Sequence, residues 1–332
     1  MRTLFLGSGP FGIPTLERLA KRGSDLVVGT VPDAPKGRRG KLEPTVIKAR
    51  ALELGLPVHE VESLKGSKGP AFLAATGGDL VITCDFRLIL GKKFLAAPPR
   101  GCFNLHGSLL PAYRGAAPVA RGVLAGDREF GISLYRMVFA LDAGPVVAMA
   151  RYTPPEPLDT GTLEQILSER AGVLLEEWIE VLESGDVPLV EQDATIATFA
   201  PKLEKAEGWI DWRNDAASIE RQVRGMKPWP RAFTHWGEEK TDEPVRVFID
   251  RAVVPEESDL GAIPPAVTPG TVRRANAEGI DVACGDGTDT LRLLQLQRAG
   301  KKSLPAADFL RGFSVDGGRF LEPPPRPAAG GR

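Results

Sequence analysis

A mostly parallel α/β sheet followed by a small all-β barrel is the fold this sequence predicts, and three patterns predict it. Short apolar runs alternate with helical stretches through the first half of the chain, as in βαβ units. Short alternating runs separated by Gly, Asp and Asn turns fill residues 213–318, as in a small barrel. A length of 332 residues suits two domains. The expected division is 1–192, a linker at 193–212, a barrel at 213–318 and a disordered, proline-rich tail at 319–332.

Arg2 to Leu6 reads as a strand, Gly7 to Gly12 as a turn, and Ile13 to Arg22 as a helix with Pro14 in its first turn. Gly7-Ser8-Gly9-Pro10-Phe11-Gly12 fits G-x-G-x-x-G, which raises a dinucleotide site. The acid that should close a second strand is Asp33, placed after Pro32 in a loop, so the glycines have an alternative role as a tight strand-to-helix turn. A second strand, Asp25 to Val31, leads to a long loop from Pro32 to Pro44 that carries Lys36, Arg38, Arg39 and Lys41. Such a loop is either a solvated connection or an arm for a polyanion.

Helix Thr45 to Leu54, strand Pro57 to Glu60, helix Gly69 to Ala75 and strand Asp79 to Cys84 continue a Rossmann-like alternation. A strand ending at Leu105, a helix from Ala116 to Ala125 and a strand from Phe130 to Met137 follow. Val138 to Pro145 reads as a loop, and Leu163 to Leu182 as a long helix behind the cap Asp159-Thr160-Gly161-Thr162. Residues 193–212 form an irregular bridge. Ala216, Ile219, Val223 and Met226 line one helical face, with Arg221 and Arg224 elsewhere. The barrel strands are Ala232–Trp236, Val245–Val254, Gly270–Ala275, Gly279–Cys284 and Thr290–Gln297.

Composition narrows the classes of function. No apolar run reaches the roughly 20 residues of a membrane span, and Met1 runs straight into a strand, so no signal peptide is expected. Cys84, Cys102 and Cys284 lie in apolar stretches at no metal-ligand spacing, which points to reduced core thiols and no metal. The net charge of −1 hides an asymmetry, because residues 151–200 hold 2 basic residues against 11 acidic ones. A nucleic-acid partner must therefore use a local patch.

The chemistry concentrates in Phe103-Asn104-Leu105-His106-Gly107-Ser108-Leu109-Leu110-Pro111. Alternation puts Asn104 and His106 on one face and Leu105 on the other. Gly107 breaks the strand, at the sheet edge where α/β proteins bind ligands. His106 is one of three histidines in the chain. Asp142 sits in an apolar loop, as a solvent-facing residue or as the partner of His106. An amide, an imidazole and a carboxylate without a placed nucleophile suit acyl transfer in which a bound amine attacks.

With Tyr113-Arg114-Gly115-Ala116-Ala117-Pro118 and Leu141-Asp142, this stretch resembles the folate-dependent formyltransferase family. Ala200-Pro201-Lys202-Leu203-Glu204-Lys205, Gly208-Trp209-Ile210-Asp211-Trp212, Pro228-Trp229-Pro230 and Gly300-Lys301-Lys302 extend the likeness over almost the whole chain. The resemblance implies a formyltransferase-fold domain with an OB-like barrel, in a cytoplasmic monomer. It implies transfer of formyl from 10-formyltetrahydrofolate to the amino group of methionine on initiator tRNA. Asn104 and His106 would bind the formyl oxygen, and Asp142 would orient His106 and help remove the amine's proton. Phe86, Arg87 and Leu88, with Val138, Phe139, Ala140 and Leu141, would hold the pterin, and Ser108, Leu109, Leu110 and Pro111 would shape its site. Lys36, Arg38, Arg39 and Lys41 would meet the acceptor stem, with Arg221, Arg224, Arg273, Lys301 and Lys302 adding barrel contacts. Two departures flank the expected folate pocket. Asp85-Phe86-Arg87 stands where the family usually has Ala-Tyr-Gly, and Ala140 and Ala143 stand where it has Gly and Thr. Amino-sugar nucleotide formylation and a non-catalytic relative are the alternatives.

Overall fold

A computed structural model describes residues 1–23, 25–36, 40–237, 244–260, 266–315, 318–321 and 323. The chain divides into two compact units. The first comprises Met1–Val119, Arg128–Glu156 and Thr162–Pro201, and the second Ala120–Asp127, Pro157–Gly161 and Lys202–Arg332.

The first unit is built on β1 (Arg2–Gly7), β2 (Asp25–Thr30), β3 (Ala34–Lys36), β4 (Lys41–Glu43), β5 (Val58–Glu60) and β6 (Leu80–Cys84). It continues with β7 (Gly101–His106), β8 (Arg114–Gly115), β9 (Phe130–Arg136), β10 (Val146–Tyr152) and β11 (Phe199–Ala200). The main sheet runs β10-β9-β7-β6-β1-β2-β5. From β5 to β7 all pairs are parallel, while β9 and β10 join antiparallel. Helices Ile13–Lys21, Val46–Glu53 and Lys68–Thr76 make the crossovers. Central strands covered on both faces need continuous apolar runs. Leu4, Phe5 and Leu6 of β1, and Leu80, Val81 and Ile82 of β6, accordingly have no exposed surface. Strand order reverses at β1, with β2 on one side and β6 on the other. Such a reversal is the switch point at which open α/β sheets bind ligands, beyond the carboxyl ends of the strands.

Three differences from the sequence reading stand out. The basic loop is not wholly structureless, because β3 and β4 form a short hairpin that pairs Lys36 with Lys41. Arg38 and Arg39 lie outside the described residues. β10 has no counterpart in the reading, although Gly144-Pro145 punctuates the chain just before Val146–Tyr152. The bridge at 193–212 contains β11, which pairs β8. Two-residue strands leave no periodicity to detect.

The second unit contains β12 (Phe233–Gly237), β13 (Val245–Val253), β14 (Val272–Asn276), β15 (Gly279–Cys284), β16 (Asp289–Arg298), β17 (Leu304–Pro305) and β18 (Arg319–Leu321). Its sheet runs β14-β15-β16-β13-β12-β18, with β17 on β16. A bridge between Thr271 and Arg319 joins the two ends of that order, and Phe320 N donates to Gly270 O at 2.9 Å. The sheet therefore curls shut, as a small barrel does to remove its edges. Helix Ala216–Gly225, capped by Asp215, buries Ala216, Ile219 and Val223, with Met226 after it, as its 3.6-residue period requires. Trp212 stacks on Phe320 at 5.6 Å inside the same core. The tail expected to be disordered from 319 begins instead with β18. Its Phe320 is completely buried, and leaving β18 unpaired would expose that ring and two sheet edges.

Candidate active site

β7 presents Asn104 and His106 on one face, and Leu105 packs away from them as a buried residue. Across the sheet, Asn104 stands opposite Tyr135 of β9 and His106 opposite Ser133. Thr83 Oγ1 donates to Asn104 Oδ1 at 2.6 Å, which fixes the amide's orientation. Asn104 Nδ2 then donates to the Tyr135 hydroxyl at 3.4 Å, and that hydroxyl donates to Asp142 Oδ1 at 2.7 Å. The other carboxylate oxygen of Asp142 accepts from Gly115 N at 2.8 Å.

His106 is 6% exposed. Its Nε2 lies 2.9 Å from Tyr113 O. A carbonyl only accepts, so Nε2 carries a proton. The opposite nitrogen, Nδ1, faces Asp142 Oδ2 at 3.8 Å, which is outside hydrogen-bond range. The sequence puts an acid beside this imidazole, and the structure does bring the two together. The ring is nevertheless held by the Tyr113 carbonyl, with no bond from Asp142.

The loop after β7 is held rigidly. Ser108 Oγ donates to Ala112 O, Ser133 Oγ donates to Ser108 O, and Leu110 N donates to Ser133 Oγ. Tyr113 N donates to Thr198 Oγ1, and Ala116 and Ala117 donate to Ala200 O. Arg114 binds Gln192 Oε1 through Nε at 3.0 Å and Nη2 at 2.7 Å. Gln192 Nε2 in turn donates to Asp142 O at 2.8 Å and Gly144 O at 2.6 Å. Asp142 and Tyr113 have φ of 47° and 59°. Non-glycine residues there cost about 1–3 kcal/mol each, and such cost persists where the surroundings force it. The Arg114–Gln192 clamp is that force for the Asp142 turn. Thr83, Tyr135 and Gln192 were not anticipated from sequence. A threonine and a tyrosine on buried strands look like ordinary core residues, and strand register is what reveals them.

The glycine turn is occupied by the chain itself. Ser8 N and Gly9 N both donate to Asp85 O, at 3.0 and 3.1 Å, and Arg87 N donates to Ser8 Oγ at 3.1 Å. A Cβ on Gly9 would lie 1.8 Å from Asp85 Oδ2. Desolvation pushes the Asp85 carboxyl up from the usual carboxylate range, opposed by a hydrogen bond from the Phe11 backbone and by the charge of Arg87. The amides that would cradle a pyrophosphate are therefore spent on Asp85, and an acid sits where that anion would go. This removes the ground for the dinucleotide reading.

Of the residues expected around a pterin, Phe86 and Leu88 are half-buried against the sheet core, and Arg87 is exposed. Phe139 and Leu141 are 57% and 62% exposed, unusual for large apolar side chains, and Val138 and Ala140 are exposed beside them. Lys92 Nζ lies 4.9 Å over the Phe139 ring. Ser108 and Leu110 are buried and Leu109 half-buried. Leu110 and Pro111 line a cavity of about 300 Å³ together with Val146, Met149 and Val190. Of the residues expected at an RNA surface, Arg224 is engaged by Glu220 at 2.5 Å and by Leu158 O, Arg221 binds Ser218 Oγ, and Arg273 binds Gly287 O. Lys301 and Lys302 are exposed after β16.

The formyl transferase family model matches residues 1–177, and the model of its C-terminal domain matches residues 202–314. The chain belongs to the formyl transferase family, and is an enzyme of that class. Within the family it falls with the methionyl-tRNA formyltransferases. It is 38% identical to the one from Delftia acidovorans, over 97% of this chain and 98% of the relative. It is 40% identical to the one from Stenotrophomonas maltophilia, over 93% and 97%. Among solved structures, an N-formyltransferase from Helicobacter canadensis, in complex with folinic acid and dTDP-3-aminofucose, superposes with a TM-score of 0.61. That match has 13% identity and covers 89% of this chain and 98% of the other.

Proposed function

We propose that this protein moves the formyl group of 10-formyltetrahydrofolate onto the amino group of methionyl initiator tRNA, and that Asn104, His106 and Asp142 do the chemistry. The observation that carries the assignment is their convergence at the carboxyl end of β7. There Thr83 and Tyr135 fix the amide, Tyr113 O fixes the imidazole, and Gly115 N and Tyr135 hold the carboxylate. Kinship with methionyl-tRNA formyltransferases over 97% of the chain supports the acceptor. Folinic acid in the Helicobacter canadensis structure supports the donor.

The exposed apolar surface of Val138, Phe139 and Leu141 suits the flat face of a pterin, next to Asp142 in the same loop. When bound there, the folate supplies an activated formyl carbon. The Asn104 amide N–H and a proton on His106 Nδ1, the ring nitrogen not spent on Tyr113 O, stabilise the negative charge that develops on the formyl oxygen as the amine attacks. Asp142, which faces His106 Nδ1 at 3.8 Å, takes the proton the amine sheds as the new C–N bond forms. The tetrahedral carbon then breaks its bond to N10 of the folate, and N10 takes up that proton as tetrahydrofolate leaves. The Arg114–Gln192 clamp keeps Asp142 in place while the charge moves. Lys36, Arg38, Arg39 and Lys41 supply positive charge for the acceptor stem, two of them anchored by the β3–β4 hairpin. Lys301 and Lys302, exposed after β16, add positive charge on the barrel.

The test is a formylation assay with 10-formyltetrahydrofolate and either methionyl initiator tRNA or an amino-sugar nucleotide. The expected result is transfer to the tRNA alone, falling about 10²- to 10⁴-fold on His106→Ala. Transfer to the sugar, or a His106→Ala variant with full turnover, would overturn the assignment.

A further inference from the structure

The polar chain around Asp142 contains a residue whose ring and hydroxyl do separate jobs. Tyr135 is 1% exposed. Its ring packs with Leu110, Val146 and Met137 and meets the His106 ring edge-on at 6.5 Å. A phenylalanine would fill the same space. The hydroxyl is therefore not required for packing, and burying it is unfavourable unless both its proton and its lone pair are used. Both are used. The proton goes to Asp142 Oδ1 at 2.7 Å and the lone pair accepts from Asn104 Nδ2 at 3.4 Å. Desolvation and the neighbouring Asp142 carboxylate push the phenol well above its ordinary range, so it remains a donor.

The directions of these bonds are forced. Asp142, as a carboxylate, only accepts, so Tyr135 must donate to it. Tyr135 has one proton, so toward Asn104 it must accept. Asn104 must then turn Nδ2 to Tyr135 and Oδ1 to Thr83, whose hydroxyl donates at 2.6 Å. The cross-strand pairing of Asn104 with Tyr135 sets the spacing.

We propose that Tyr135 is a positioning residue for formyl transfer: its hydroxyl couples Asp142 to Asn104, so that proton acceptor and oxyanion donor are set as one unit. This rests on the assignment of Asn104 and Asp142 made above. One hydrogen of Asn104 Nδ2 is spent on Tyr135, and the other is left for the formyl oxygen. Without the hydroxyl, Asp142 keeps Gly115 N on Oδ2 but loses its donor on Oδ1, and Asn104 loses the partner that fixes its amide plane.

Tyr135→Phe is the test, assayed beside wild type and in a cycle with Asp142→Asn. Wild-type turnover checks the assignment of function; the variants check Tyr135. The expected result is a kcat about 10- to 100-fold lower with unchanged KM for both substrates. On the Asp142→Asn background the same change should add little, because the residue through which Tyr135 acts has already been altered. A full wild-type kcat, a loss confined to KM, or an effect that multiplies fully with Asp142→Asn would overturn the proposal. Should Tyr135→Phe not fold, Thr83→Val interrupts the same chain from the far side of Asn104. It is expected to lower kcat at constant KM, and an unchanged kcat would overturn the coupling.

Discussion

Each unit of this protein buries charged side chains in a polar cluster, and the cluster at Asp281 is built differently from the one at Asp142. In the barrel, Asp281 is 2% exposed and Arg292 9%. Arg292 Nε donates to Asp281 Oδ1 at 2.7 Å, Arg292 Nη2 donates to Oδ2 at 3.2 Å, and Arg274 Nε donates to Oδ2 at 2.9 Å. Every strong acceptor site there meets a cation, and the cluster is closed. In the sheet, Asp142 is held by two neutral donors, Tyr135 and Gly115 N, and faces His106 across 3.8 Å without a bond. A closed ion pair holds a shape. An open arrangement keeps hydrogen-bonding capacity for a molecule not yet bound. Burial of polar groups alone does not mark a site; unspent capacity among them does.

The sharpest way to break this comparison is Arg292→Met. It leaves Asp281 buried with only the half-exposed Arg274, and removing one partner of a buried pair costs about 3 kcal/mol or more. Chemical denaturation should show that loss while kcat of the folded fraction stays at the wild-type value. A fall in kcat would make the barrel cluster part of the site. Gln192→Ala probes the other side. It removes two bonds to the Asp142 turn and leaves Arg114 without its acceptor. Turnover is expected to fall about 10-fold, as for lost supporting contacts generally, with only a small shift in melting temperature. Loss of stability without loss of turnover would show that the clamp serves the fold instead.

A third test concerns a feature the units share. Desolvation pushes Cys102 in the sheet and Cys284 in the barrel each up to about 12, with Asp289 and Asp215 adding to the shift at Cys284. Above about pH 9 the unfolded chain loses these protons while the folded chain keeps them. Stability is therefore complete below that pH and falls as pH rises toward 12, by about 1.4 kcal/mol per pH unit for each thiol. Urea midpoints measured from pH 8 to 10.5 would show the decline. Thiol reagents at pH 8 should label neither cysteine until the chain unfolds.

Much of the architecture was legible in the order of residues. The apolar runs at Leu4–Leu6 and Leu80–Cys84 are long enough to mark strands covered on both faces, and the barrel strands are framed by turn residues such as Gly279 and Gly285. Asn104 and His106 could be placed together because a strand repeats every two residues. What escaped was everything that depends on register or on contacts between distant segments. Tyr135 looks like a core aromatic until it stands opposite Asn104. Gln192 lies 50 residues from the turn it holds. Arg319–Leu321 is too short and too close to a proline run to read as structure, and its place is set by Gly270 and Trp236 across the barrel.

The join between Thr271 and Arg319 also bears on synthesis. Until a ribosome has released Leu321, the sheet of the second unit has two bare borders, at β12 and β14. A message cut short by even a dozen codons before that point would yield a protein whose second unit remains an open, adhesive ribbon. Proteolysis or clumping, rather than a weakened enzyme, is the fate such a product invites.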